Sequence, residues 1–463
     1  MPITNFSFAR WNTDYDYWNN LARLKQIPEM LKDIKILLQT GIQDGITFAK
    51  ESLDKTKKQF ERLQYMGQNV TRSAFFQMFA KHDGTREEAA KVITNEVLPA
   101  FKDLEEYLFN DYYPYVRSKP SVKSMSYLKG EEFYQASLEY FTTLSNVNAD
   151  DLHQYGLESL QRSQIRLKDL GVRLGYANDS TSITDLIKNV KADSNLYLKS
   201  DKEVLHAYVK SIGDIKTNLP KIFDKKLLPK KFIDINLNPN GAKGGGIAYY
   251  QSGSADGRRS NGFHINAGNV KRLIRGNVDM FTLHEAFPGH FMRITIKNSQ
   301  TKLPNFVKYS IGAKLGQPST IPRYSAFIEG WGLYSQYLGY DLGLYASEPM
   351  KEIAYLMSDI LKSARMVADT GIHMQNWSKK EAVEFLETNA AVSEAAAQAE
   401  VDRYITLPGQ AVAYKIGERE ILKMRKKFTT SGFDLKEFHS AMINCEGPLE
   451  LLESCLNIYL NKE

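Results

Sequence analysis

The stretch Asp279–His290, DMFTLHEAFPGH, sets two histidines six positions apart, with a glutamate directly after the first. The whole chain has only eight histidines. Neutral imidazoles bind zinc well, and a neighbouring carboxylate can take a proton from metal-bound water. His284 and His290 are therefore predicted zinc ligands. Glu285 points about 100° away from His284 on a helix, which suits a general base better than a ligand.

The spacing of six residues is unusual for such a site, because a regular helix would turn the two rings about 120° apart. Pro288 and Gly289 address this problem. Proline breaks a helix by clashing with the carbonyl four residues back, and glycine adopts dihedral angles closed to other residues. We expect the helix to stop or bulge at Pro288, which would swing His290 back toward His284. The alternative is an ordinary helix break with two incidental histidines.

Three further blocks follow in the chain: AFIEGWGLYSQYLGYDLGLY at 326–345, RMVADTGIHMQNW at 365–377 and DRYITLPGQAVAYKIG at 402–417. In this order, the four blocks resemble those of a family labelled a domain of unknown function, DUF885. That family looks like helical zinc metallopeptidases of the gluzincin type, with an HExxPGH motif. The resemblance covers at least residues 249–463. Phe291, Met292 and Arg293 replace the polar H-x-Q that usually follows PGH, which bears on substrate preference more than on the metal.

The resemblance offers Glu329 as the third metal ligand, and its surroundings agree. Glu329 stands among apolar residues in AFIEGWG, and a carboxylate there is costly to bury unless it pairs with a cation or a metal. Gly330 and Gly332 each cost a helix about 1 kcal/mol relative to alanine, so the backbone must need a close approach, for example to the metal helix. The alternative is a surface glutamate on an amphipathic helix.

Arg403, Tyr404 and Tyr414 look like motif positions of the same family. Pro408 fits the first turn of a helix that continues through Tyr414 to Lys427, and the N-terminus of such a helix carries partial positive charge. The three residues are candidates for binding the oxyanion of a tetrahedral intermediate or a substrate carboxylate.

Arg365, Asp369 and His373 recur every four residues and would form one polar stripe on a helix. Metal-bound histidines generally donate their second nitrogen to a carboxylate or a carbonyl. We expect the stripe to line the substrate cleft, with Asp369 as that acceptor, Arg365 holding it and His373 close to the substrate. The alternative is a solvated helix face with an Arg–Asp pair.

The periodicity predicts a mainly α fold. Apolar residues from Leu24 to Leu38 recur at helical spacing, and similar patterns cover about 87–110, 149–174 and 201–222. We expect a large helical metallopeptidase-like fold with a deep cleft between a helical lobe, residues 1–230, and a catalytic lobe, residues 231–463. The family has more helical sequence than precedes Leu21 here, so we expect the first lobe to lack the family's N-terminal helices.

Short strands are predicted at Phe232–Leu237, Ile247–Gln251 and Phe263–Asn266, directly before the metal helix. Such a small sheet could hold an extended peptide by strand addition. A structural β-meander is the equally weighted alternative.

Composition excludes several classes of function. A net charge of +6, with 43% hydrophobic and 25% charged residues, is ordinary for a soluble globular protein and does not suggest nucleic-acid binding. No apolar run approaches the ~18 residues of a membrane span, and residues 1–20 are polar and aromatic, unlike a signal peptide. Compartment and oligomeric state stay open; a missing N-terminal signal would make the protein secreted or periplasmic.

The two cysteines are expected to be buried thiols rather than a disulfide, because Cys455 falls in step with Leu451, Leu452 and Ile458 on a predicted helix. Cys445 is the other cysteine.

The leading interpretation is a zinc-dependent peptidase in which Glu285 assists the attack of metal-activated water on a peptide bond. The alternatives are a non-catalytic peptide-binding protein that retains the fold, and a zinc hydrolase of non-peptide amides or esters. Peptide length, residue preference and exo- or endopeptidase action are not fixed by the sequence.

Overall fold

The computed structural model describes residues 9, 11–67, 69–125, 130–238, 247–253, 260–266, 274–301, 303, 304, 308 and 324–460. The fold is mainly α with one small sheet, as the sequence predicts. The chain divides into two compact units, Met1–Phe133 and Tyr134–Glu463. Residues 134–230, which we grouped with the first lobe, therefore lie in the second unit. The cleft and the missing N-terminal helices stay predictions.

The first unit is built from helices. They are α1 (Asp14–Lys25), α2 (Ile27–Gln43), α3 (Lys50–Gly67), α4 (Ala74–Gln77), α5 (Asp83–Val92), α6 (Leu98–Glu106) and the start of α7 (Gly130–Thr142). Thr13 and Asp16 form a capping box that fixes where α1 begins. Leu24, Ile27 and Leu31 are buried in its core, as their spacing predicts.

The second unit contains the sheet and the remaining helices. The helices are α8 (Ala149–Arg173), α9 (Ile183–Ala192), α10 (Asp201–Asn218), α11 (Arg275–Phe281), α12 (His290–Ser299), α13 (Ser325–Tyr337), α14 (Leu344–Ser347), α15 (Pro349–His373), α16 (Lys379–Ala390), α17 (Glu394–Thr406), α18 (Ala413–Thr430), α19 (Leu435–Asn444) and α20 (Leu452–Leu460). Helix α15 packs along α8, and α13 packs along α18. The second pair brings together the sequence blocks at 326–345 and 402–417.

The small sheet has the strand order β1-β3-β2, with β1 at Asp234–Leu237, β2 at Ala248–Gln251 and β3 at Gly262–Ile265. Strand β3 pairs parallel with β1 and antiparallel with β2. The three predicted strands are confirmed to within two residues at their ends. Strand β2 lies at one edge of this sheet, and it contacts the segment that carries His284. The glycine-rich stretches at 239–246 and 254–259 lie outside the described residues.

The prediction of free thiols was wrong. Cys445 and Cys455 form a disulfide with their Cα atoms 5.7 Å apart. Cys445 caps the C-terminus of α19, and the chain then turns back so that Cys455 on α20 comes within reach. Of the residues with which Cys455 was grouped, Leu452 is buried but Leu451 and Ile458 are exposed, so the apolar pattern only partly matched the buried face of α20. Its buried side chains are Leu452 and Leu456.

None of the helices in the described part of the chain combines the length and the apolar character needed to cross a membrane.

Candidate metal centre

The helix that carries His284 ends as Pro288 and Gly289 predict. Helix α11 widens into a π-turn at Thr282–Ala286, Phe287 is extended, and α12 begins at His290. The rings of His284 and His290 thereby come to 4.8 Å between centroids, nearly perpendicular to one another. A Cβ on Gly289 would lie 1.8 Å from the carbonyl oxygen of His284, so only glycine permits this return of the chain. The predicted approach of the two histidines is confirmed.

Glu329 on α13 completes a group of three donor side chains. Its Oε2 lies 3.7 Å from Nε2 of His284 and 4.0 Å from Nε2 of His290. One ligand atom from each of the three lies within 4.8 Å of the others. Tetrahedral zinc, with bonds of about 2.0–2.2 Å, places its ligand atoms roughly 3.4 Å apart. Both distances from Glu329 exceed that spacing by about 0.6 Å or less, and the widest separation in the group is at most 4.8 Å, so the donor set fits zinc once the side chains draw together.

Electrostatics favour a cation at this group. Burial raises the pKa of Glu329, but hydrogen bonding to His284 and the charges of both histidines outweigh it and lower the pKa to about 2. Glu329 is therefore ionised, and only 20% of its side chain is exposed. A half-buried carboxylate beside two imidazole nitrogens favours the binding of a metal cation in place of a proton.

The glycines of α13 permit two separate close approaches. A Cβ on Gly332 would lie 2.4–2.8 Å from the imidazole atoms of His284. A Cβ on Gly330 would instead meet the backbone of Gly417 on α18 at 2.3–2.5 Å. The prediction that a glycine lets α13 pack closely against the segment carrying His284 is thus confirmed for Gly332. Gly330 instead permits the close contact between α13 and α18. Trp331 between them donates its Nε1–H to the carbonyl of Pro288 at 3.0 Å.

The outer nitrogen of His284 meets an amide, not Asp369. Nδ1 of His284 lies 3.1 Å from the side-chain amide of Gln336, one turn further along α13 than Gly332. When Nε2 binds a metal, Nδ1 carries the hydrogen, and the amide of Gln336 would turn its oxygen toward it. The expectation that Asp369 accepts this hydrogen is therefore corrected.

Glu285 lies between the metal ligands and the edge strand. It is 8% exposed, and the amide N–H of Tyr250 on β2 donates to its Oε2 at 2.9 Å. Burial raises the pKa of Glu285 to about 7, with the charge of His284 opposing and that of Glu329 adding to this shift. A carboxylate with this pKa can both accept and return a proton near neutral pH.

The polar stripe on α15 is buried, so the alternative of a solvated face is excluded. Every residue from Ser363 to His373 is buried. Asp369 accepts from the hydroxyl of Tyr134 at 2.6 Å and from the N–H of Gly409 at 2.9 Å. His373 Nε2 lies 3.0 Å from the carbonyl oxygen of Tyr404. Asp369 and His373 thus hold the turn that leads into α18.

Arg365 does not hold Asp369, which corrects that expectation. Its Nη2 donates to Oε1 of Glu400 on α17 at 2.7 Å, because α17 presents a carboxylate to this part of α15. The hydroxyl of Tyr404 donates to Oε2 of the same carboxylate at 2.9 Å. Nη2 of Arg403 lies 3.1 Å from Oε2. Arg365, Arg403 and Tyr404 therefore share one anionic partner, which the sequence analysis did not identify.

Helix α18 begins later than predicted. Pro408 lies in a turn, and Gly409 has a φ of +81°, which no right-handed helix accepts, so the helix starts at Ala413. Tyr414 consequently stands in the first turn. The charge of Glu329, and then burial, raises the pKa of Tyr414, so its phenol belongs to the surroundings of the metal ligand.

Lys362 is a further residue of this region that the sequence analysis missed. Its Nζ lies 4.5 Å from the ring centroid of Tyr414. Burial, and then the charge of Arg365, lowers its pKa to about 7. It stands three residues before Arg365 on α15, one position away from where the four-residue repeat of the stripe continues, so that repeat does not find it.

The chain departs from the family pattern at three residues that face the core: Phe291, Met292 and Arg293. Phe291 and Met292 are fully buried, and Arg293 pairs with the buried Glu446 beside the disulfide. These residues pack α12 against the core. None of their described contacts is with the side chains of His284, His290 or Glu329.

The family model described as "Bacterial protein of unknown function (DUF885)" matches residues 3–455. No curated protein matches the chain. Among solved structures, "the putative lipoprotein from Colwellia psychrerythraea" superposes with a TM-score of 0.86 at 23% identity, covering 98% of this chain and 77% of that one. "A putative lipoprotein of unknown function from Shewanella oneidensis" superposes with a TM-score of 0.71 at 18% identity, covering 98% and 80%. At these identities the two structures share the fold and nothing more is inferred from them. The chain therefore belongs to DUF885, a family of bacterial proteins of unknown function.

Proposed function

We propose that this protein is a zinc-dependent peptidase. The observation that carries the proposal is the convergence of His284, His290 and Glu329, with the buried carboxylate of Glu285 beside them. Among the described residues, no other group of three His, Cys, Asp or Glu side chains converges in this way. Three protein ligands leave a fourth position open, which is the pattern of catalytic rather than structural zinc sites.

The bound zinc would lower the pKa of a water molecule toward 7 and polarise the carbonyl of the substrate. Glu285 accepts the proton of the attacking water and passes it to the leaving amine. The burial of Glu285 raises its pKa, which favours its taking up and returning a proton. Gln336 fixes the orientation of the His284 ring. The phenol of Tyr414 is the candidate donor to the oxyanion, since it is half-buried and responds to the charge of Glu329.

The edge strand β2 supports a peptide as substrate over a smaller amide or ester. An extended peptide could pair with the edge of this strand that no described strand occupies, and be held beside Glu285. The exposed side chain of Tyr249, stacked on His264, would flank it. The outward N–H of Tyr250 is already donated to Glu285, so such pairing would use the remaining outward groups of β2.

Metal analysis followed by peptide digestion tests the proposal. The purified protein should hold about one zinc per chain. His284→Ala, His290→Ala and Glu329→Ala should each lower that content sharply, whereas His206→Ala, at an exposed position of α10, should not. The zinc-loaded protein should cleave members of a mixed peptide library. Zinc retention with peptide binding and no cleavage would favour a non-catalytic binding protein, and cleavage of only small amides or esters would favour the third alternative.

A further inference from the structure

A group of cationic side chains lies beside Tyr414. Lys362 and Arg365 both face the ring of Tyr414, with Nζ at 4.5 Å and the guanidinium carbon at 5.6 Å from its centroid. Arg403 joins them through Glu400, which contacts both arginines. We call Lys362, Arg365, Arg403 and Glu400 the cationic group. It contains three cations and one anion.

The cationic group lacks acceptors. Within the described part of the chain, Lys362 has no carboxylate within ion-pair distance. Its Nζ lies over the face of the Tyr414 ring. Nε of Arg365 and Nε of Arg403 are buried without a hydrogen-bond partner among the described residues. Nη2 of Arg403 is near Glu400 but is not aligned to donate to it. Buried donors that are left unpaired are costly, so these groups point to an anionic ligand that supplies the missing acceptors.

The charges around Lys362 also favour the binding of an anionic ligand. The groups that influence it are Arg365 and Arg403, which repel it, and Glu400 and Glu329, which attract it. Glu329 would be neutralised by a bound metal, which leaves Glu400 as the remaining anion. A second carboxylate beside Lys362 would restore the balance of charge and form charge-assisted hydrogen bonds with the guanidinium groups.

Tyr414 connects the cationic group to the helix contact that carries Glu329. Gly330, next to Glu329, meets the backbone of Gly417, which lies one turn after Tyr414 on α18. The ring of Tyr414 in turn lies against Lys362 and Arg365. These steps are short, and an extended peptide spans about 3.3–3.6 Å per residue. A peptide whose scissile carbonyl lies at the metal would therefore bring a carboxylate to the cationic group only when its C-terminus is at most a few residues away.

We propose that the cationic group binds the terminal carboxylate of a peptide, and that the enzyme releases one or a few residues from the C-terminus. This rests on the proposed peptidase function and names its substrate class. In the reaction, the carbon–nitrogen bond of the scissile amide breaks. The oxygen of one water enters the new C-terminal carboxylate, and its protons are shared between the leaving amine and the medium. No further reactant is needed.

Binding is measured separately from cleavage. N-acetyl tripeptides ending in Ala, Phe or Lys are prepared as free acids and as carboxamides, and are titrated by calorimetry into zinc-loaded Glu285→Gln protein. The acids should bind at least about tenfold more tightly than the amides, because a hydrogen-bonded ion pair is lost in the amide. Lys362→Met and Arg403→Gln, added to the same background, should reduce the difference to about threefold or less. Lys380→Met, at a highly exposed position of α16, is the matched control and should leave it unchanged.

Each result decides a different point. Equal binding of acid and amide, or an acid preference that survives both Lys362→Met and Arg403→Gln, would overturn the proposal. If Lys362→Met fails to fold, Arg403→Gln decides alone, since that side chain is 32% exposed and glutamine keeps its inner part in place. In wild-type protein, mass spectrometry should show peptides shortened from the C-terminus, and the amides should be cut slowly. An acid preference without any cleavage would leave the carboxylate site standing and reject the peptidase function.

Discussion

The amide N–H of Tyr250, on the edge strand β2, donates to Oε2 of Glu285 at 2.9 Å. This bond joins the small sheet to the candidate general base. It ties the position of the Glu285 side chain to the edge strand. Strand β2 is therefore part of the candidate site and not only a support for it.

Tyr250→Pro tests this bond, with Tyr250→Ala as its control. Both changes remove the phenol, but only proline also removes the N–H, and an edge strand tolerates proline where the N–H faces outward. Turnover should be at least about tenfold lower in Tyr250→Pro than in Tyr250→Ala, since a hydrogen bond to a carboxylate is lost. Zinc content should be equal in the two. Equal turnover would show that the bond does not position Glu285.

Gly332→Ala tests the close approach of α13 to His284. The new Cβ would lie within 2.8 Å of the imidazole, so the ring must shift away from the position at which it meets Glu329. Zinc affinity should fall by about 10–100-fold, as when the orientation of a ligand is disturbed. Gly213→Ala on α10 is the control, because nothing lies within 4 Å of its added Cβ. It should keep zinc and stabilise the helix by up to about 1 kcal/mol. Unchanged zinc affinity in Gly332→Ala would mean that His284 is not a ligand in this orientation.

Two variants distinguish the residue that contacts the proposed ligand His284 from the residue that anchors the 407–412 turn. They are Gln336→Leu and Asp369→Asn. Leucine removes the amide that contacts Nδ1 of His284, so zinc affinity should fall by about 10–100-fold. Asp369→Asn should leave zinc affinity unchanged, because the contacts of Asp369 are with Tyr134 and Gly409. Competition with a fluorescent zinc chelator measures both. If Asp369→Asn lowers zinc affinity and Gln336→Leu does not, Asp369 would be the acceptor for the metal-bound histidine, as the sequence predicted.

His439 makes the stability of the second unit depend on pH. Burial lowers its pKa to about 4, and its ring is held by the carbonyl of Ile222 and the hydroxyl of Tyr334. The unfolded chain binds the proton near pH 6.5, so this stability is present above that pH and is lost as the pH falls toward 4. In urea unfolding, the advantage of wild type over His439→Gln should shrink by about 2 kcal/mol from pH 7 to pH 5. An advantage that is the same at both pH values would show that His439 is not buried as a neutral ring.

Local chemistry explains what could be predicted. Pro288 and Gly289 dictate a break whatever surrounds them, so the approach of His290 to His284 followed from the sequence. The apolar neighbours of Glu329 supported the ligand role that the family resemblance offered. Alternation located the first strand, and glycine-rich boundaries located the other two.

Contacts between distant segments explain what could not be predicted. The partner of Arg365 is Glu400, on another helix, and a carboxylate four residues away in the chain was the more obvious choice. The start of α18 depends on the positive φ of Gly409, which accompanies its bond to Asp369. The disulfide depends on the turn between α19 and α20, and nothing in the spacing of two cysteines specifies that turn.

The most direct test of the account compares zinc content and peptide cleavage in wild type and Glu285→Gln, in the same preparations. Glutamine keeps the size of the side chain and can still accept from Tyr250, but it cannot take a proton. The variant should hold as much zinc as wild type, and its cleavage rate should fall by about 10²–10⁴-fold. Glu384→Gln, at an exposed position of α16, should match wild type in both measurements. Near-normal cleavage by zinc-loaded Glu285→Gln, or a wild-type protein that binds no zinc, would contradict the central claim.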